Sequence, residues 1–142
     1  MIEQQELPQQ IQKMIEKANR SLRAARGHLV SGDADFASSK AYYAVFHMMQ
    51  AALLTKEKTY SKHAGVISGF SEHFIKPKIF PTDYGELIQR LRRDRELGDY
   101  SYQLTLSTDE AGRDIEGAAK IVDSIEKYLE SFLGKQTPAK SG

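Results

Sequence analysis

Residues 35–56, DFASSKAYYAVFHMMQAALLTK, contain neither glycine nor proline. The run is long enough for about six helical turns, roughly 33 Å. Ala37, Ala41, Val45, Met48, Met49, Ala52 and Leu53 cover more than half of the helix circumference. A helix apolar on most sides has to be surrounded by neighbours. One meridian differs. At 100° per residue Phe36, Lys40, Tyr43, His47, Gln50 and Leu54 align, and that line mixes polar and aromatic groups. The stretch therefore predicts a central helix whose polar line faces a groove, a subunit boundary or water.

The remaining segments supply the neighbours. A first helix is expected from about Pro8 to Val30, with Ile11, Ile15, Ala18, Leu22, Ala25 and Leu29 on one face and Lys13, Lys17 and Arg20 on the opposite, solvated one. Ser31-Gly32-Asp33 breaks it, and Asp33 can cap the central helix. So short a joint makes the two helices antiparallel. Ser61 is placed to cap a third helix reaching about Ile75, which Pro77 stops. Ile79-Phe80-Pro81 reads as an apolar plug. A fourth helix starts at Thr82 or Asp83 and carries Tyr84, Leu87, Ile88 and Leu91 inward until Gly98 ends it. Ser107-Thr108-Asp109-Glu110 is a capping box opening a fifth helix to about Leu133, with Ala111, Ile115, Ala118, Val122, Ile125 and Leu129 inward. The expected fold class is all-α, a five-helix bundle. The expected domain organisation is a flexible lead-in over 1–7, one helical domain over 8–133, and a disordered tail over 134–142.

Composition narrows the function classes. The 142 residues suggest one domain. A formal net charge of +1 gives no global attraction for nucleic acid, so any such affinity has to come from a local patch. With no cysteine, disulfides and thiolate zinc sites are excluded, and no histidine spacing here suits a metal; no metal and no cofactor are expected. The N-terminus is polar and acidic, unlike a secretory signal, and no apolar run could span a bilayer. A cytoplasmic protein without a membrane partner is expected.

One residue breaks the pattern. Arg95 continues the Tyr84/Leu87/Ile88/Leu91 stripe, where an apolar side chain is due. A charge directed inward is costly unless it is paired. The candidate partners in sequence are Asp99, one turn later, and the hydroxyls of Tyr100 and Tyr102. In a structural reading, Arg95 and Asp99 form an ion pair near a helix end. In a functional reading, the guanidinium is held ready for a phosphate. The surrounding Arg90, Arg92 and Arg93 are offset by Glu86, Asp94, Glu96 and Asp99. His47 on the central helix, and His63 at the head of the third, are the imidazoles that could serve as acid or base.

The strings AYYAVFHMMQAALL, SKHAGVISGFSEHF and IFPTDYGELIQRLRRDRELGDY together resemble the HEPN family, close to its small stand-alone prokaryotic branch. The resemblance extends from about Pro8 to Leu133. It implies an up-and-down helical bundle that forms a homodimer. It further implies binding of RNA or a nucleotide, and a minimal nucleotidyltransferase as antitoxin partner in a toxin–antitoxin pair. Many members are metal-independent ribonucleases with an Arg, four to six residues, then His and often x-Tyr. Carried onto this chain, Arg95 takes the arginine place, Tyr100 stands where His is expected, and Tyr102 matches the trailing Tyr. A phenol titrates near 10, so Tyr100 is a poor base at neutral pH. The reading implied first is therefore a binding protein that works with a nucleotidyltransferase. The alternative is a ribonuclease toxin using Arg95, Asp99 and Tyr100, with His47 or His63 supplying the imidazole.

Overall fold

The computed structural model describes residues 3–102 and 105–136. They form five α-helices and no strand: α1 (Glu3–Val30), α2 (Ala34–Leu54), α3 (His63–Phe70), α4 (Asp83–Tyr100) and α5 (Thr108–Gln136). The all-α expectation holds. Helix α2 packs against each of the other four. Its buried side chains include every residue assigned to its apolar faces. The residues left partly or fully exposed beyond its first turn are Ser39 and the polar meridian itself.

Local chemistry accounts for most boundaries. Asp33 caps α2 by accepting from the Phe36 N–H (3.3 Å). Gly32, at φ +85°, makes the reversal that lays α2 back along α1. The capping box forms in both directions: Ser107 N–H donates to Glu110 Oε1 (2.9 Å), and Glu110 N–H donates to Ser107 Oγ (3.0 Å).

Four boundaries differ from the sequence reading. Helix α1 begins at Glu3 and carries Pro8 inside it; near a helix start a missing N–H removes at most one ladder bond. Helix α3 starts at His63 behind Lys62, which makes no side-chain cap, so Ser61 is not the cap. Its continuation, Ser71–Ile75, is a π-helical turn. There Phe70 stacks on Phe74 (5.2 Å) and on Phe80 (5.7 Å). Phe80 is buried as the plug, whereas Ile79 remains exposed.

Helix α4 does not stop at Gly98 but continues to Tyr100. A Cβ at Gly98 would lie 3.2 Å from Asp35 Cβ and 3.3 Å from its Cα. This glycine lets α4 approach the start of α2 rather than ending α4. Helix α5 similarly passes through Gly134 to Gln136. An exposed helical glycine costs only about 1 kcal/mol. Of the expected lead-in and tail, residues 1–2 and 137–142 lie outside the described residues.

Candidate functional site

Helix α4 buries Tyr84, Ile88 and Leu91. The next position on that face is Arg95, whose side chain is only 16% exposed. Packing of α4 on α2 brings its guanidinium to the polar meridian of α2. Arg95 Nη2 donates to Tyr43 Oη at 2.7 Å. Arg95 Nε lies 2.9 Å from Asp99 Oδ2, yet its N–H is buried and has no acceptor in line. The Asp99 carboxylate at that distance balances the charge through a poorly aligned contact. Three rings surround the cation: its Cζ is 5.2 Å from the Tyr43 centroid, 5.7 Å from Tyr42 and 6.0 Å from Tyr100. These distances are within cation–π range.

An imidazole belongs to the same cluster. His63 Nδ1 is 2.9 Å from Tyr42 Oη, and the His63 ring stacks on Phe46 at 4.1 Å. Burial pushes the Tyr42 phenol up to about 12, so it stays protonated and can either donate to or accept from His63. Burial, and then the positive charges of Arg95 and Arg92, hold His63 below the usual imidazole range. It is therefore neutral at pH 7. His47 lies one turn beyond Tyr43 on α2, with its ring 6.3 Å from that of Tyr43. Burial and then Lys17 lower it, opposed by a hydrogen bond with Gln50.

The structure thus gathers Arg95, Asp99, Tyr100 and His63 around Tyr42 and Tyr43. The two tyrosines at the end of α4 differ from the sequence expectation. Tyr100 presents its ring to Arg95 but is 72% exposed, and Tyr102 is 99% exposed. The hydroxyl that takes the Arg95 proton donor is that of Tyr43, 52 residues away in sequence. The position of Tyr43 on the polar line of α2 is the sequence signal for it.

A second buried polar cluster escaped the sequence reading. Asp114 on α5 is fully buried. Its carboxylate accepts from Ser38 Oγ on α2 (2.7 Å) and from Arg90 Nε on α4 (3.0 Å). Burial first, and then the neighbouring Asp94, push Asp114 up to about 6. Asp94 immediately precedes Arg95, so this cluster joins three helices one residue from the guanidinium. On the α2 side, Asp35 accepts from the Leu106 N–H (2.9 Å), which anchors the chain after α4. Between α1, α2 and the end of α4 an open cleft of about 390 Å³ is lined by His28, Phe36, Ser39, Lys40 and Asp99.

Arg95, Asp99 and the tyrosines thus sit on an α-helical bundle of the type the sequence motifs suggested. The family model described as the HEPN domain matches residues 11–128. The chain belongs to the HEPN family.

Its relatives include "Putative toxin MJ0142" of Methanocaldococcus jannaschii, 33% identical over 120 residues, which cover 84% of this chain and 82% of that one. "Putative toxin MJ0605" of the same organism is 34% identical over 128 residues, or 90% of this chain and 95% of that one. A UPF0332 protein of Thermotoga maritima is 31% identical over 96 residues, 68% of this chain and 73% of its own. The fold is also similar to that of TT1696 from Thermus thermophilus, with a TM-score of 0.70 at 21% identity over 82% of this chain and 96% of that one. Among the described residues no helix is long and apolar enough to cross a membrane.

Proposed function

We propose that this protein is a toxin-like HEPN protein that binds RNA through Arg95 and acts as a homodimer with a minimal nucleotidyltransferase as its antitoxin partner. The observation that carries the reading is the setting of Arg95. Its guanidinium is packed between tyrosine rings, oriented by Tyr43 and charge-balanced by Asp99 at the edge of an open cleft. A phosphate offers the multi-acceptor geometry that such a group binds well. The relatives named as putative toxins support the toxin-like part. In this reading Tyr100 presents its exposed ring to the RNA and takes no part in catalysis.

A ribonuclease reading is favoured by His63. It is a neutral imidazole in the same cluster as Arg95. In that reaction the 2′-oxygen attacks phosphorus as the P–O5′ bond breaks. His63 takes the 2′-hydroxyl proton, water on the far side of phosphorus protonates the departing 5′-oxygen, and His63 then releases its proton to solvent, while Arg95 neutralises charge on the phosphoryl oxygens. Asp99 orients the guanidinium. The two readings separate on incubation of purified protein with single-stranded RNA in the presence of a chelator. Retention without cleavage supports binding alone. Cleavage that disappears in both Arg95→Ala and His63→Gln supports the ribonuclease. Neither retention nor cleavage overturns both.

A further inference from the structure

We propose that the cleft beside Asp99 is a nucleobase subsite, in which an unpaired base of single-stranded RNA stacks on Phe36 while Lys40 holds the adjoining phosphate. The inference rests on the RNA-binding reading of Arg95 and deepens it by naming where the strand goes next.

Phe36 is 53% exposed, whereas Phe46, Phe70, Phe74 and Phe80 are buried. Its ring is not loose. His28, at the end of α1, meets it edge-on at 5.7 Å. The two rings make a steep corner at the rim of a cleft of about 390 Å³, at the small end of the range for ligand sites. A flat heterocycle can lie on the Phe36 face in such a corner.

The polar groups that line the cleft fit a nucleotide. Lys40 follows Phe36 by one turn on the same meridian and supplies a cation for phosphate. Ser39 and the Asp99 carboxylate can accept from exocyclic amines or the ribose hydroxyl. Asp99 belongs to both the cleft and the Arg95 cluster, so the two sites are contiguous. From Phe36 to Tyr43 is seven residues, about 10 Å along the helix, which separates neighbouring nucleotides of one strand rather than parts of one. Alternating aromatic faces and cations is how proteins hold single-stranded nucleic acid without reading a duplex.

The chain has no tryptophan, so Phe36→Trp places a single reporter in the cleft of the otherwise intact protein. A short single-stranded RNA of mixed sequence, labelled at its 5′ end, is titrated while label anisotropy and Trp emission are both followed. The subsite predicts emission quenching that saturates together with the anisotropy. It also predicts that Phe36→Ala binds roughly five- to a hundredfold more weakly, the range for losing one base stack.

RNA binding that leaves Trp emission unchanged overturns the subsite and leaves the Arg95 reading standing. No RNA binding by the wild type overturns both. If Phe36→Ala turns a dimer into a monomer and a monomeric protein binds RNA with wild-type affinity, Phe36 belongs to a self-association surface and the subsite is overturned.

Discussion

Replacing Asp114 by asparagine should remove a pH dependence that runs opposite to ordinary acid denaturation. Asp114 is fully buried, bonded to Ser38 and Arg90, and faces Asp94. Its folded-state value is raised from 3.8 to about 6. A carboxyl raised on folding binds its proton more tightly in the native state. Its contribution to stability is greatest below the unfolded value and is lost as pH rises through the folded value.

The shift is about two pH units and is shared with the facing Asp94 carboxylate, so at about 1.36 kcal/mol per unit ionisation of the pair weakens the fold by a few kcal/mol as pH rises from roughly 4 to 7.5. Asparagine keeps the shape and a neutral hydrogen-bonding head. Denaturant unfolding of both proteins across that range gives the difference in stability at each pH, in which shared titrations cancel. The difference should move by a few kcal/mol in favour of Asp114→Asn as pH rises. The variant should be at least as stable as the wild type at pH 7.5, even though Arg90 loses a charged partner. Parallel curves, or a difference that grows in favour of the wild type, would refute the assignment of a net penalty to this buried carboxylate.

Gly98→Ala should destabilise the fold by about 1–3 kcal/mol in denaturant unfolding, because its methyl meets the Asp35 backbone and side chain. A neutral result would show that α2 and α4 yield by the few tenths of an ångström the methyl needs, and that the close approach does not require glycine. Tyr43→Phe removes the acceptor of the Arg95 Nη2 donor. It should cost about 1–3 kcal/mol and weaken RNA binding, as read by anisotropy. The His63 midpoint, followed by NMR, should lie below 6.5 and rise in Arg95→Ala, since Arg95 is one of the charges that lower it. A midpoint unmoved by that substitution would separate His63 from the cluster.

Much of the fold could be read from side-chain periodicity, because α2 has no polar face wide enough to lie at a surface. Asp33 and the Ser107–Glu110 box were legible for a local reason: each cap is made within a few residues. Gly98 misled because a glycine that ends a helix and one that admits a neighbouring helix look alike until the neighbour, Asp35, is known. Arg95 stood out as a charge on an apolar stripe, but its partner Tyr43 lies on another helix. Asp114 carried the same kind of signal, an acid on the inward face of α5 with Ala111, Ala118, Ile121 and Ile125. It takes both α2 and α4 to explain it. The position of His63 against Tyr42 and Phe46 depends on the start of α3, a boundary with no side-chain cap to mark it.

Arg95 is the residue on which phosphate binding by this protein depends most in the proposed function. The direct measurement is the affinity of a labelled single-stranded RNA for the wild type and for Arg95→Ala, at fixed salt, with thermal unfolding run alongside to establish that the variant is folded. Loss of one charge-assisted contact predicts roughly ten- to a hundredfold weaker binding by the folded variant. Equal affinity in a folded Arg95→Ala would contradict it, and would leave the Arg95–Asp99 pair as a structural feature of α4.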